Sequence, residues 1–95
     1  MPARERNIAT LDADKIRLPL TVRPVAPADR FVPFGMKGEK LVSDVLTDVH
    51  VSQLSRLYST VVADAEGIVW LTGHRPAQRC AITDDTQRVL ILTLF

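Results

Sequence analysis

A single cysteine, Cys80, stands in this chain of 95 residues, so no internal disulfide can staple the fold, and a reducing compartment suits it. Aromatic side chains make up only 5% of the sequence, too few for a row of stacking platforms along a single-stranded nucleic acid. An excess of one charge is missing too: 12 Lys and Arg against 11 Asp and Glu leave a net charge of +1. A polyanionic partner is therefore attracted only if the fold segregates its charges. No apolar run is long enough to span a bilayer. The first seven residues hold Arg4, Glu5 and Arg6 where a secretion signal needs an apolar stretch. These absences predict a cytoplasmic chain with no membrane partner.

What is present suffices for one small core. The hydrophobic share is 46%, and 95 residues leave no room for a second core. Residues 1–6 (MPARER) show no pattern and are expected to form a disordered start, where an upstream domain would have been cut away. Residues 7–95 are then one domain. Residues 8–11 suit a short strand, followed by a turn at Asp12-Ala13-Asp14. Leu18, Leu20 and Val22 alternate with polar neighbours, which predicts a half-buried strand with Pro19 facing outward or at a bulge. Pro24, Pro27, Pro33, Gly35 and Gly38 then punctuate an irregular stretch whose Phe31, Val32, Phe34 and Met36 seek burial.

Residues 40–47 read as a short helix with Leu41, Val42, Val45 and Leu46 on one face, and Ser52 could cap a further helical turn through Leu57. Residues 60–63 and 68–71 flank Asp64-Ala65-Glu66-Gly67, a hairpin composition. Two more strands are expected at residues 79–82 and 88–94, around Thr83-Asp84-Asp85-Thr86. The last is almost continuous in Val, Leu and Ile, which predicts a central strand covered on both faces. The pattern as a whole is α+β, with five or six strands and one or two short helices.

Catalytic constellations are scarce. His50 and His74 lack the spacing of a metal motif, and Cys80 beside Ala81 and Ile82 reads as a buried, inert thiol. The pairs Asp12/Asp14, Asp64/Glu66 and Asp84/Asp85 all fall in turn-like settings. Gly35-Met36-Lys37-Gly38 lacks the serine or threonine and the glycine spacing of a nucleotide-binding loop. No catalytic, cofactor or metal site is expected. The informative segment is DRFVPFGMKGEKLVSDVLTD at 29–48. Gly35 and Gly38 allow positive φ and bare N–H groups, Lys37, Lys40 and Arg30 lie close by, and a helix follows. This segment is either a phosphate cradle or a structural loop with solvated lysines.

The same segment, with LDADK at 11–15, PLTVR at 19–23, the hairpin VADAEGIVW at 62–70, Gly73-His74-Arg75 and the closing run through Leu92, resembles the C-terminal domain of the tRNA(Ile)-lysidine synthetases. Val25 and Ala28 stand where that family usually has tryptophan and glycine, and residues 49–59 are atypical, with Tyr58 in an arginine position. The resemblance implies a small sandwich of mostly antiparallel strands, similar to a module of the phenylalanyl-tRNA synthetase β subunit. It implies a bacterial parent enzyme that uses ATP to attach lysine to the wobble cytidine of an isoleucine tRNA. ATP and lysine would bind an N-terminal domain carrying an SGGxDS loop that this chain lacks. The expected partners are tRNA(Ile), chiefly its acceptor stem, and the enzyme's other domains.

An RNA helix hides its base edges, so recognition should use phosphates and ribose hydroxyls. Arg23, Arg30, Lys37, Lys40, Arg75 and Arg79 are the candidate contacts, with Gly35 and Gly38 shaping the loop. They are expected to share one face, away from Asp64/Glu66 and Asp84/Asp85. With about five phosphates neutralised, affinity would fall several-hundredfold from about 50 to about 200 mM salt. The competing reading is an interdomain docking or homodimerisation module, marked by an exposed apolar patch at Phe31, Phe34 and Met36. A stand-alone enzyme would instead need a pocket of converging titratable groups.

Overall fold

A computed structural model describes residues 7–56 and 58–94. The expected start at 1–6 and Leu57 lie outside the described residues. Seven strands, β1 (Ile8–Asp12), β2 (Thr21–Pro24), β3 (Arg30–Phe31), β4 (Lys40–Leu41), β5 (Thr60–Ala63), β6 (Ile68–Leu71) and β7 (Val89–Thr93), all pair antiparallel. They form a ribbon β1-β7, a three-stranded sheet β2-β5-β6 and a short ribbon β3-β4. Helix α1 (Val42–Asp48) follows β4 directly, and α2 (Gln53–Arg56) is a single turn. The fold is the α+β sandwich that the resemblance implies, with seven strands among the described residues where five or six were expected, because the irregular stretch after β2 adds the two-residue strands β3 and β4.

The sandwich has the β5-β6 hairpin at its centre. On one side Val61, Ile68 and Leu71 pack against Phe31 of β3 and Val42, Val45 and Leu46 of α1. On the other, Val62, Val69 and Trp70 pack against Ala9 and Leu11 of β1, Ile16 and Cys80, with Leu90 and Leu92 of β7 partly buried alongside. Each fully buried Leu or Val here contributes roughly 1.5–3 kcal/mol. All four residues of β6 are buried, so β6 is the strand covered on both faces. The expectation placed that role on β7, and it is corrected: Val89 and Ile91 are 51% and 61% exposed. An apolar run does not distinguish a doubly covered strand from a ribbon strand whose outer face is β-branched.

Two further expectations change. The alternation at Leu18, Leu20 and Val22 does not mark an inward face, because Leu18 and Val22 are exposed and β2 begins only at Thr21. Val22 pairs with Val62, but β2 is the sheet edge and Val22 is 67% exposed there. Residues 79–82 form no strand. A 3-10 turn, Gln78–Cys80, replaces it, closed by N–H donation from Cys80 to Ala77 and from Ala81 to Gln78. That turn aims Arg79 at the β5-β6 hairpin. Cys80 is buried there, and burial raises its thiol pKa, as expected of an inert cysteine.

The turns follow their composition. Asp12 accepts from the Asp14 amide and caps a 3-10 turn at Ala13–Lys15. Ser52 accepts from the Ser55 amide at 3.1 Å, giving α2 the cap that its sequence predicts. The Thr83 amide donates to Thr86 Oγ1, and the Asp85 amide donates to Thr83 Oγ1.

Candidate functional site

The six candidate cations do not share one face. Arg23 forks onto Asp29, with Nη1 and Nη2 donating to its two carboxylate oxygens at 2.8 and 2.9 Å. Asp29 also accepts from the Ala26 amide at 2.7 Å, so the pair closes the loop between β2 and β3. The Arg23 hydrogen bonds hold the Asp29 carboxyl below its usual range. Arg79 forks in the same way onto Asp64, whose side chain is fully buried, and it also donates to the carbonyls of Gly67 and Ile68. Burial by itself pushes the Asp64 pKa up. Donation from Arg79 and from the amides of Arg17 and Glu66 outweighs it, and the net result is about 2. These two arginines are structural staples.

The expected separation of cations from the Asp64/Glu66 turn is therefore corrected. Arg79 binds Asp64, and Arg17 binds Glu66 at 2.9 Å. A buried turn carboxylate demands a positive partner, whatever the surface needs. Arg30 lies near this end, lining a shallow cleft with Glu39, Glu66 and Arg79. The β3-β4 register sets Arg30 opposite Leu41 and Phe31 opposite Lys40, which turns Arg30 and Lys40 to opposite faces of the ribbon.

The glycine loop also departs from expectation. Gly35 takes φ +87, as anticipated, and donates its N–H to Gln78 Oε1 at 2.7 Å; Gly38 has no positive φ. The loop does not feed an open helix N-terminus. Strand β4 intervenes, and the Val42 amide already donates to the Asp29 carbonyl at 2.9 Å. The candidate anion contacts nearest this loop are the side chains of Lys37, Lys40 and Arg75.

Those side chains converge on the other face. Lys40 and Arg75 line one cleft with Met36, Asp48 and Val49, and Lys40 forms an ion pair with Asp48. A contiguous cleft of about 400 Å³ shares Arg75, Val45 and Val49 and adds His50, Val51 and His74. Lys37 is exposed on the adjoining loop, and among the described residues no carboxylate pairs with it. Arg75 is oriented by donation from Nη1 to the Phe34 carbonyl. Three chain segments, 36–40, 48–51 and 74–75, thus meet at one basic mouth.

The two histidines are what sequence reasoning missed, since their separation of 24 positions carries no motif. His50 sits in the left-handed region at φ +60. It ends α1 in a Schellman arrangement: the His50 amide donates to the Thr47 carbonyl and the Val51 amide to the Leu46 carbonyl, while Val51 packs on the α1 core. Glycine normally fills this position, and a side chain there costs about 1 kcal/mol. His50→Gly is accordingly expected to raise stability by about 1 kcal/mol in urea unfolding. A loss of stability would show that the imidazole holds the fold.

No protein-family model matches the chain. Along 92 residues it is 39% identical to the tRNA(Ile)-lysidine synthase of Parabacteroides distasonis, a match covering 97% of this chain and 21% of that protein. The corresponding enzyme of Bacteroides thetaiotaomicron is 40% identical over 88 residues, 93% of this chain and again 21% of the relative. The chain thus spans about a fifth of the length of these curated relatives. A crystal structure of the TILS C-terminal domain superposes with a TM-score of 0.76 at 27% identity, over 92% of this chain and 67% of the solved one. An N-terminal fragment of the phenylalanyl-tRNA synthetase β-subunit of Pyrococcus horikoshii shares the fold, with a TM-score of 0.73 at 23% identity over 93% of this chain and 28% of that one. Sequence and fold together place this chain in the family of C-terminal domains of the tRNA(Ile)-lysidine synthases.

Proposed function

We propose that this chain is a tRNA-gripping domain which holds the acceptor stem of an isoleucine tRNA. A separate domain of the same bacterial, cytoplasmic enzyme would use ATP to attach lysine to the wobble cytidine. In this reading the chain performs no chemistry itself, and ATP and lysine bind elsewhere in the parent. The observation that carries it is the convergence of Lys40 and Arg75, with Lys37 on the adjoining loop, at one cleft mouth. Spaced cations suit a ribose-phosphate strand, and a duplex reader needs no aromatic platform.

Filter binding of an isoleucine tRNA tests this. Lys37→Ala/Lys40→Ala is expected to weaken binding about tenfold or more and to reduce the salt slope by about one unit per lysine. Arg17→Ala removes one positive charge at the Glu66 end, half of what the double variant loses, and should leave binding within about twofold. Equal losses in the two proteins would show diffuse attraction and no site.

The docking alternative keeps one specific observation. Phe34 is 50% exposed and lines a small apolar cleft with Thr10, Pro76, Ala81 and Ile82. Of the expected patch, however, Phe31 is buried in the core, so Phe31, Phe34 and Met36 do not form one surface.

A further inference from the structure

We infer that β7 is a self-association edge, through which two copies of this chain pair antiparallel and merge their β1-β7 ribbons into one four-stranded sheet. The argument begins with the ladder. The Leu94 amide donates to the Asn7 carbonyl at 2.7 Å, and the Ala13 amide donates to the Arg88 carbonyl at 2.9 Å. These bonds fix the phase: in an antiparallel ladder alternate residues turn both backbone groups to the same side. Residues 88, 90, 92 and 94 therefore face β1. The N–H and C=O groups of Val89, Ile91 and Thr93 point away from it, and among the described residues no strand receives them.

Strand edges of this kind are normally guarded by charge, proline or a bulge. The outer edge of the other sheet follows that rule, since β2 carries Arg23 and ends at Pro24. β7 has no charge, no proline and no bulge. Its outer side chains, Val89 and Ile91, are 51% and 61% exposed, and Ile8 of β1 continues the same face at 40%. A two-stranded ribbon is also marginal by itself, and further strands stabilise it.

The occupant follows from the sequence of the edge. Val89-Leu90-Ile91-Leu92-Thr93 is nearly a palindrome about Ile91, with β-branched residues at both ends and the centre and leucines between. Antiparallel pairing centred there sets Ile91 against Ile91 of the second copy, Val89 against its Thr93 and Leu90 against its Leu92. Branched residues meet branched residues, as cross-strand pairing favours. Arg88 falls opposite Leu94, so the two copies bring no like charges together, and Arg88 is already engaged by Asp14. A net charge of +1 adds almost no long-range repulsion. The edge is complementary to itself. It lies outside the basic cleft, so this inference stands apart from the RNA reading.

Sedimentation equilibrium and amide hydrogen exchange of the 95-residue chain test it. From micromolar to millimolar concentration the mass should rise from 10.6 kDa toward twice that value. The amides of Val89, Ile91 and Thr93 should gain protection over the same range, while those of Leu90 and Leu92 stay unchanged. Ile91→Lys should raise the dissociation constant about a hundredfold or more, because the register sets two lysines face to face. Val22→Lys, at the exposed apolar position of β2, should associate as the unaltered chain does. The inference is overturned by a constant single-chain mass, by a dimer whose Val89, Ile91 and Thr93 amides stay unprotected, or by equal loss of association in Val22→Lys. The exchange measurement on the unaltered chain decides even if Ile91→Lys fails to fold.

Discussion

Asp64→Ala is expected to lose about 3 kcal/mol of stability, roughly 15 °C in melting temperature for a domain of this size. Asp64 is the acceptor on which four residues converge through five donor nitrogens. The Arg17 amide reaches it at 2.9 Å, the Glu66 and Gly67 amides at 2.9 and 3.1 Å, and Arg79 with two guanidinium nitrogens at 3.2 and 2.7 Å. Removing the carboxylate strands all of them at once. The loss stays below the full cost of an isolated buried charge because the Arg79 side chain is 35% exposed and can turn to water. Arg79→Met should also destabilise, by leaving the buried carboxylate unpaired. The double variant should lose clearly less than the sum of the two single losses. Additive losses in urea unfolding would show that the two groups do not act together.

Acid should reveal the same interaction. The Asp64 pKa falls from 3.8 to about 2 on folding, so the unfolded chain binds the proton more readily. Its contribution, about 2 kcal/mol, is complete above the unfolded value and is lost as pH falls from about 4 toward about 2. Asp29 is lowered as well, chiefly by Arg23, and acts in the same direction. A denaturation midpoint that stays flat across that window would remove this account of both pairs.

The second large effect is on RNA. Sequence alone offers six cations and about five phosphate contacts, but Arg23 and Arg79 are spent on Asp29 and Asp64, and Arg30 turns to the opposite face from Lys40. Lys40 and Arg75 remain at the cleft, with Lys37 on the adjoining loop; Lys40 pairs with Asp48, but that carboxylate is 58% exposed and the pair is weak enough to exchange for a phosphate. Three neutralised phosphates give a logarithmic salt slope near −2.7, so affinity for tRNA should fall roughly 40-fold between about 50 and about 200 mM monovalent salt. A slope near zero would remove the RNA reading. A slope near −5 would mean that the stapled arginines also leave their carboxylates for the RNA.

Local chemistry made some elements legible in the sequence. Asp64 and Gly67 announce the hairpin because one residue bonds the turn amides and the other relieves the backbone, and the spacing of Val42, Val45 and Leu46 announces α1. The errors arose where tertiary context decides. Nothing in VLILT distinguishes a buried centre from an open ribbon, and nothing in RCAI marks a 3-10 turn whose purpose is to aim Arg79 across to Asp64. The candidate site was half visible. Lys37, Lys40 and Arg75 could be named from their loops, but the carboxylates beside Arg23 and Arg79 could be assigned only once the chain had closed. His50 was hidden, since histidine rarely fills the left-handed end of a helix.

The pairing of β1 with β7 also has a mechanical meaning. Asn7 and Leu94 are hydrogen-bonded neighbours, so strands from opposite ends of the described chain lie side by side and antiparallel. A pull applied at these two residues would load the ladder one rung at a time, as a zipper opens, and would never strain all its rungs together. Resistance to such a pull would come from Leu90 and Leu92 leaving the core, while the β5-β6 hairpin beneath would remain shielded until the ribbon had peeled away.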